Sequence, residues 1–199
     1  TIALNLGILV VMTGYHLVLF ALRPRDKALL WLSLLCFEIA VRTLGTENYF
    51  GLLLPGADVW WAGHLVELLG FSLAVPTFAL FLRAMFPKQA TGWFHKVFLA
   101  AGGVYTGILL IGPLPLHFWA TLVYEAVALL LVVWGFAILI RAIKDKNPLA
   151  WIITAGSIVL AICIVNDILY AELLIFQSVD LTQYGQTFFI LCQDKSKLH

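Results

Sequence analysis

The sequence consists of long apolar stretches separated by short segments that are rich in charge, glycine or proline. A helix needs about 20 mostly apolar residues to cross the hydrocarbon core of a bilayer, and breaks such as Arg23-Pro24 and Gly112-Pro113 delimit stretches near that length. We predict spanning helices over residues 2–22, 28–44, 59–86, 97–111, 118–140, 149–171 and 181–193. The last stretch is short, so six helices instead of seven are the alternative. Pro76 lies inside the third stretch and predicts a kink there.

The composition supports an integral membrane protein, because 62% of the residues are hydrophobic and only 12% are charged, whereas soluble domains contain about 25% charged residues. We therefore expect an all-α domain over residues 1–199, with the lipid bilayer as its first partner. The net charge of +1 argues neither for nor against nucleic acid, but the sequence has no basic arm or stripe, and we expect no nucleic acid as a partner. The cysteines (Cys36, Cys163 and Cys192) lie in apolar stretches and are interpreted as reduced packing residues. The apolar stretch that begins at Thr1 is too long for a signal peptide, and we expect the chain to be part of a longer protein.

The distribution of basic residues predicts the orientation in the membrane. If the N-terminus lies outside, every lysine and arginine except Arg42 falls in an inner loop or at the inner end of a helix. The predicted outer loops contain no basic residue, but they contain Glu47, Asp58 and Asp180. Because basic residues accumulate on the cytoplasmic side, we predict that the N-terminus lies outside and the C-terminus inside.

Polar residues inside the predicted spans are the candidate functional residues. With a rise of 1.5 Å per residue and this orientation, they all fall in the outer half of the membrane. Spacings of three and four residues place helix neighbours on one face. A carboxylate at the bilayer centre costs about 2.5 kcal/mol or more, so these positions require a partner, a cavity or a function. The candidates are Glu38, Arg42, His64, Glu67, Glu125, Asn166 and Asp167.

Two interpretations of these residues remain open. They can pair with one another and specify helix packing, as an interhelical hydrogen bond of about 0.6 kcal/mol would do. Alternatively they line a polar pocket that opens outward. The candidates include four acids but only one arginine and one histidine. Either some of the acids are therefore protonated, or a cation or cationic ligand completes the charge balance.

Metal and enzyme functions are less well supported. His64-x-x-Glu67 has ligand spacing, but a zinc site needs three or four ligands, and His117 is interpreted as lying at the edge of a loop. We therefore predict no metal, no cofactor and no catalytic residues, since familiar catalytic motifs are absent from the sequence. An intramembrane hydrolase would require a bound metal. A small transporter or channel that uses the outer polar pocket is the main alternative function, although transporters favour polar sites near the midplane.

Several short motifs follow one another in a specific order and spacing along almost the whole chain. They are Tyr15-His16 followed by Arg25-Asp26, Ala40-x-Arg42-x-Leu44, Leu54-Pro55, Glu67, the stretch from Pro76 to Pro87, Asn166-Asp167-Ile168-Leu169-Tyr170, Tyr184-Gly185 and Gln193. Together these motifs resemble the membrane domain of bacterial seven-helix receptors with diverse intracellular signalling modules.

This resemblance implies a sensory function in the bacterial inner membrane. In that family an outer sensor domain with a carbohydrate-binding-like fold precedes the seven helices, and a histidine kinase of two-component signalling or a diguanylate cyclase follows. The resemblance therefore implies that the domain relays an extracytoplasmic signal to an output module that this chain lacks. It also implies that a small ligand or an outer sensor domain, a cytoplasmic signalling domain and a second copy of the chain are partners. The polar segment from Asp194 to His199 departs from the family pattern.

Overall fold

The described part of the chain consists of α-helices and their connections. A computed structural model describes residues 2–46, 59–171, 185 and 188. The helices are α1 (Ile2–Leu22), α2 (Lys27–Thr46), α3 (Val59–Met85), α4 (Phe94–Ile111), α5 (Leu114–Lys144) and α6 (Pro148–Ala171).

Four of these helices are long and apolar enough, over their described residues, to cross a membrane. They cover Lys27–Gly45, Trp61–Met85, Phe94–Ile111 and Leu114–Lys144. Shorter apolar helices cover Leu6–Leu22 and Ala150–Cys163. Length and apolar composition therefore support the all-α membrane class that the sequence predicts. The predicted seventh span, 181–193, lies outside the described residues except for Gly185 and Phe188.

The predicted spans agree with the helices, with the largest difference at α5. This helix begins at Leu114 and ends at Lys144, whereas the sequence predicts 118–140. Pro115 is compatible with the first turn of a helix, because the amide hydrogens of that turn have no intrahelical acceptor. At the other end, Arg141 and Lys144 do not stop the helix, because long basic side chains extend from its surface towards the aqueous interface. α3 likewise continues through Pro76.

Local sequence signals account for the other helix ends. Asp26 precedes α2, and its Oδ1 accepts a hydrogen bond of 3.2 Å from the Ala28 amide, which satisfies a free donor of the first turn. Gly92 precedes α4 with a φ of 101°, a conformation that glycine adopts without strain. Pro148 is the first residue of α6, where its missing amide hydrogen costs nothing.

The helices form two compact units, Leu6–Leu131 and a second unit of Val132–His199 with Thr1–Asn5. In the first unit, α2 and α3 run antiparallel and their backbones touch at glycines. A Cβ atom at Gly45 would lie 2.7 Å from the carbonyl oxygen of Gly63 and 2.9 Å from the amide nitrogen of Glu67, and one at Gly70 would lie 2.9 Å from the Cβ of Arg42. α4 packs against α3 where Gly102 fits beside Pro76.

This arrangement brings two basic connections to one end of the first unit. Because α2 and α3 are antiparallel, the connection before α2 and the connection after α3 lie at the same end. The first carries Arg23 and Arg25 and leads into Lys27 at the start of α2, and the second carries Lys88 close to the end of α3. The connection from α4 to α5, at the opposite end, contains no charged residue.

The second unit contains α6 and the end of α5. Its apolar centre includes Ile138, Leu139, Ala150 and Ile153, all of which are buried. A Cβ atom at Gly185 would lie 2.7 Å from the Sγ of Cys163, so residue 185 packs directly against α6.

Candidate functional site

Glu38 and Arg42 lie on the side of α2 that faces α3. Besides its contact with the Cβ of Arg42, a Cβ atom at Gly70 would lie 3.3 Å from the carbonyl oxygen of Glu38. The glycine lets the two helix backbones approach closely at this point, because it has no side chain to separate them. The spacing that predicted one shared face for Glu38 and Arg42 is thus consistent with the helix pair that the structure forms.

The carboxylate of Glu38 is buried and has one described donor. Thr77 of α3 donates a hydrogen bond of 2.8 Å from Oγ1 to Oε1 of Glu38, and both residues are buried. The second oxygen, Oε2, has no hydrogen-bond partner in the structure and is shielded from solvent. A buried carboxyl group with one satisfied oxygen is sensitive to any change in its surroundings, because unsatisfied buried polar atoms are costly.

Arg42 faces an aromatic group formed by α3, α4 and α5. Its guanidinium carbon lies 5.8 Å from the ring centroid of Phe71, within the range of a cation–π interaction. The Phe71 ring meets Tyr105 edge-on at 6.5 Å and Tyr124 at 5.3 Å. Tyr105 and Tyr124 stack on each other at 4.2 Å. The three rings therefore link α3, α4 and α5 beside the guanidinium group of Arg42.

The tyrosine hydroxyls and neighbouring hydroxyl side chains tie these helices together. Tyr124 donates a hydrogen bond of 2.6 Å to the carbonyl oxygen of Ser72. The Tyr105 hydroxyl lies 2.7 Å from Oγ1 of Thr121, and Oγ of Ser72 lies 2.9 Å from Oγ1 of Thr106. Each of these bonds joins two different helices, so the side chains define how the helices fit together.

Two further acids lie near the tyrosine pair. Glu67 and Glu125 are half-buried and interact electrostatically with the Tyr105 hydroxyl, and Glu38 interacts in the same way with Tyr124. Three of the predicted acids are therefore within electrostatic range of the two tyrosine hydroxyls. The name polar–aromatic cluster is used below for Glu38, Arg42, Glu67, Phe71, Thr77, Tyr105, Tyr124 and Glu125.

His64 belongs to a separate ring contact. The ring centroid of Trp61 lies 6.4 Å from that of His64. Trp61 also stacks on His117, with 5.6 Å between the ring centroids. His117 is buried in the first turns of α5, so the interpretation that it lies at a loop edge is wrong. The reason is that α5 begins earlier than its prolines suggest.

Asn166 and Asp167 belong to the second compact unit and are described by themselves. Both lie in α6, and the Asn166 side chain is half-buried. The side chain of Asp167 is outside the described part of the structure. The participation of these two residues in one site with the other candidates stays a prediction. Among the described residues, no group of three or more histidine, cysteine, aspartate or glutamate side chains could hold a metal ion.

Comparison with known families identifies the type of domain to which this geometry belongs. A family model described as 7TM diverse intracellular signalling matches residues 2–194. The chain belongs to this family. The resemblance inferred from the motifs is confirmed, and the family is one of transmembrane sensory domains that are associated with intracellular signalling and are not themselves catalytic. Comparisons with curated proteins and with solved structures give no match.

Within this 7TM family domain, the cluster contains residues that the sequence analysis missed. Phe71, Thr77, Tyr105 and Tyr124 were not among the candidates. Aromatic and hydroxyl side chains are common in membrane helices, so their identity alone indicates no site. One signal was present, because Tyr124 directly precedes the candidate Glu125.

Proposed function

We propose that this chain is the seven-helix membrane domain of a receptor in the bacterial inner membrane. Its N-terminus lies outside, and it relays an extracytoplasmic signal to a cytoplasmic module of the histidine kinase or diguanylate cyclase type. The observation that carries the proposal is the polar–aromatic cluster, which joins α2, α3, α4 and α5 through buried polar contacts. Membership of a family of sensory domains supports the same conclusion.

The proposed mechanism is a change between two packings of these helices. The Glu38–Thr77 hydrogen bond and the contact of Arg42 with Phe71 are discrete interactions that are either formed or broken. A ligand or an outer sensor domain that favours one packing shifts the population towards it, and the shift depends only on its differential affinity. Backbone contact at Gly45 and Gly70 leaves little room for α2 to move independently of α3. A shift at the cluster would therefore reach the basic end of the same unit.

Charge neutralisation in the receptor tests this mechanism. In native membranes, with the full-length protein, Glu67→Gln and Glu125→Gln would change the basal output or its response to stimulus. Each removes a carboxylate beside Tyr105 while nearly preserving the side-chain volume. Asp145→Asn is the matched control, because Asp145 is exposed in the connection after α5.

The measured quantity is the product of the output module, either phosphorylated partner protein or cyclic dinucleotide. Protein level and thermal stability are measured in parallel. If both glutamine variants are folded and signal like the wild type, the polar–aromatic cluster has no part in signalling.

The orientation has its own test, which uses cysteine labelling in intact cells. The native cysteines are first replaced, and Pro113→Cys and Arg25→Cys are introduced at exposed positions in two connections. A membrane-impermeant reagent would label the Pro113→Cys variant directly and the Arg25→Cys variant only after permeabilisation. The reverse pattern would overturn the N-outside orientation.

A transporter or channel is the competing function, and solute flux distinguishes it. Purified protein in sealed liposomes would show no flux of small cations above that of empty liposomes. Flux that Glu67→Gln abolishes would support the competing function and contradict the receptor proposal.

A further inference from the structure

The connection between α3 and α4 presents an exposed aromatic pair. Trp93 precedes α4 and Phe94 is its first residue, and their rings stack at 5.4 Å with an interplanar angle of 15°. Trp93 is 65% exposed and Phe94 is 48% exposed. These rings lie at the end of a predicted spanning helix, where aromatic side chains favour the interface between lipid headgroups and hydrocarbon.

The segment that contains this pair carries exposed basic side chains and no acid. From residue 83 to residue 96 the chain contains Arg83, Lys88 and Lys96, all exposed, and neither aspartate nor glutamate. The connection before α2 differs, because Asp26 lies among its basic residues. The name basic aromatic edge is used below for Arg83, Lys88, Trp93, Phe94 and Lys96.

The backbone that carries the edge is held in place by buried contacts. Phe86 and Ala90 are buried, and the Ala90 amide donates a hydrogen bond of 2.8 Å to the Phe86 carbonyl oxygen. Arg83 of α3 contacts His95 of α4 through its guanidinium group. Since a guanidinium has donors only, Nε2 of His95 accepts this bond. The backbone on both sides of the aromatic pair is thus anchored to the helices.

We infer that the basic aromatic edge binds the headgroup of an anionic phospholipid in the leaflet on its side of the membrane. The aromatic rings would lie at the level of the glycerol and upper acyl chains, while the basic side chains contact the phosphate and the anionic headgroup. Charge complementarity favours an anionic lipid over a zwitterionic one, because the segment offers positive charge with no acid to balance it. This inference does not depend on the signalling function.

The test measures which lipids stay with the protein. The protein is reconstituted in nanodiscs of equal amounts of phosphatidylglycerol and phosphatidylcholine and transferred to mild detergent, and mass spectrometry of the intact complexes counts the retained lipids. We expect the wild type to retain phosphatidylglycerol in excess. The Lys88→Gln, Lys96→Gln double variant would lower the ratio by about fivefold per charge removed, equivalent to about 1 kcal/mol each.

The controls separate a defined surface from general positive charge. Arg23→Gln with Arg25→Gln removes the same charge from the same end of the unit but lies outside the edge, and it would lower the ratio less, because the neighbouring Asp26 already offsets part of this charge. Trp93→Ala would lower the retention of both lipids without changing their ratio. Equal retention of the two lipids by the wild type would overturn the inference. An equal loss of phosphatidylglycerol in the control double variant would also overturn it, because ordinary surface charge would then be sufficient.

Discussion

Replacement of Gly45 by alanine would separate α2 from α3 where their backbones touch. The nearest atoms to the added Cβ would be the carbonyl oxygen of Gly63 at 2.7 Å and the amide nitrogen and Cα of Glu67 at 2.9 and 3.3 Å. All three are backbone atoms, so no side-chain rotation relieves the contact. The shortest distance is about 0.7 Å below the 3.4 Å at which ordinary contact begins, and the helices must move apart by a similar amount.

The size of the effect follows from the general cost of overpacking. Added methyl groups in a packed interior cost about 1–3 kcal/mol, while alanine in place of glycine inside a helix contributes about 1 kcal/mol in the opposite direction. Gly45 lies one residue before the end of α2, so most of this gain is lost there. Since about 1 kcal/mol changes Tm by roughly 2–4 °C in a protein of this size, we expect Tm to fall by about 3–10 °C.

Gly103→Ala provides the matched control for this experiment. A Cβ atom at Gly103 would meet no other atom within 4 Å, and this residue lies in the middle of α4. Its replacement would leave Tm unchanged or raise it slightly, because only the helix propensity changes. Both variants are compared with the wild type by thermal unfolding in the same detergent. If the Gly45→Ala variant is as stable as the Gly103→Ala variant, α2 and α3 do not approach as closely as described.

Hydrogen bonds of the cluster yield three smaller predictions, each measured by thermal unfolding. Thr77→Val keeps the shape of the side chain but removes the donor to Glu38, and it would cost about 1–3 kcal/mol because a buried carboxylate oxygen then lacks its partner. A Tm equal to that of the wild type would show that the Thr77–Glu38 hydrogen bond contributes nothing to the stability of the folded protein. Tyr124→Phe removes the bond to the Ser72 carbonyl oxygen and would cost about 0.6–1.7 kcal/mol. Ser72→Ala removes the contact with Thr106 and a bond to the Leu69 carbonyl oxygen within the same helix, and it leaves the Ser72 carbonyl in place. Because a hydroxyl bond within one helix turn adds little to helix stability, this variant would cost less than Tyr124→Phe; the opposite order would contradict the assigned bonds.

Most of the helix positions could be predicted from the sequence, because the length of an apolar stretch and the residues that end it are local properties. The bounds of α1 were predicted residue for residue, and those of α2, α3 and α6 to within two residues at each end. The prediction was least accurate for α5, where prolines and basic residues looked like helix ends. Whether a proline or a basic residue ends a helix depends on its position in the helix and on its depth in the membrane. The pattern of apolar and polar residues does not show either of these.

The sequence by itself also determined which positions inside the helices carry acidic side chains, including Glu38, Glu67 and Glu125, since a charged residue within an apolar stretch is visible without a structure. It did not determine their partners. In a membrane, the side of a helix that faces lipid is as apolar as the side that faces other helices, so the pattern does not show how each helix is rotated. Val104 and Tyr105 illustrate this, because they are adjacent in α4 and yet 64% and 3% exposed. Only the packing of α3, α4 and α5 decided that the aromatic residues stack beside the acids.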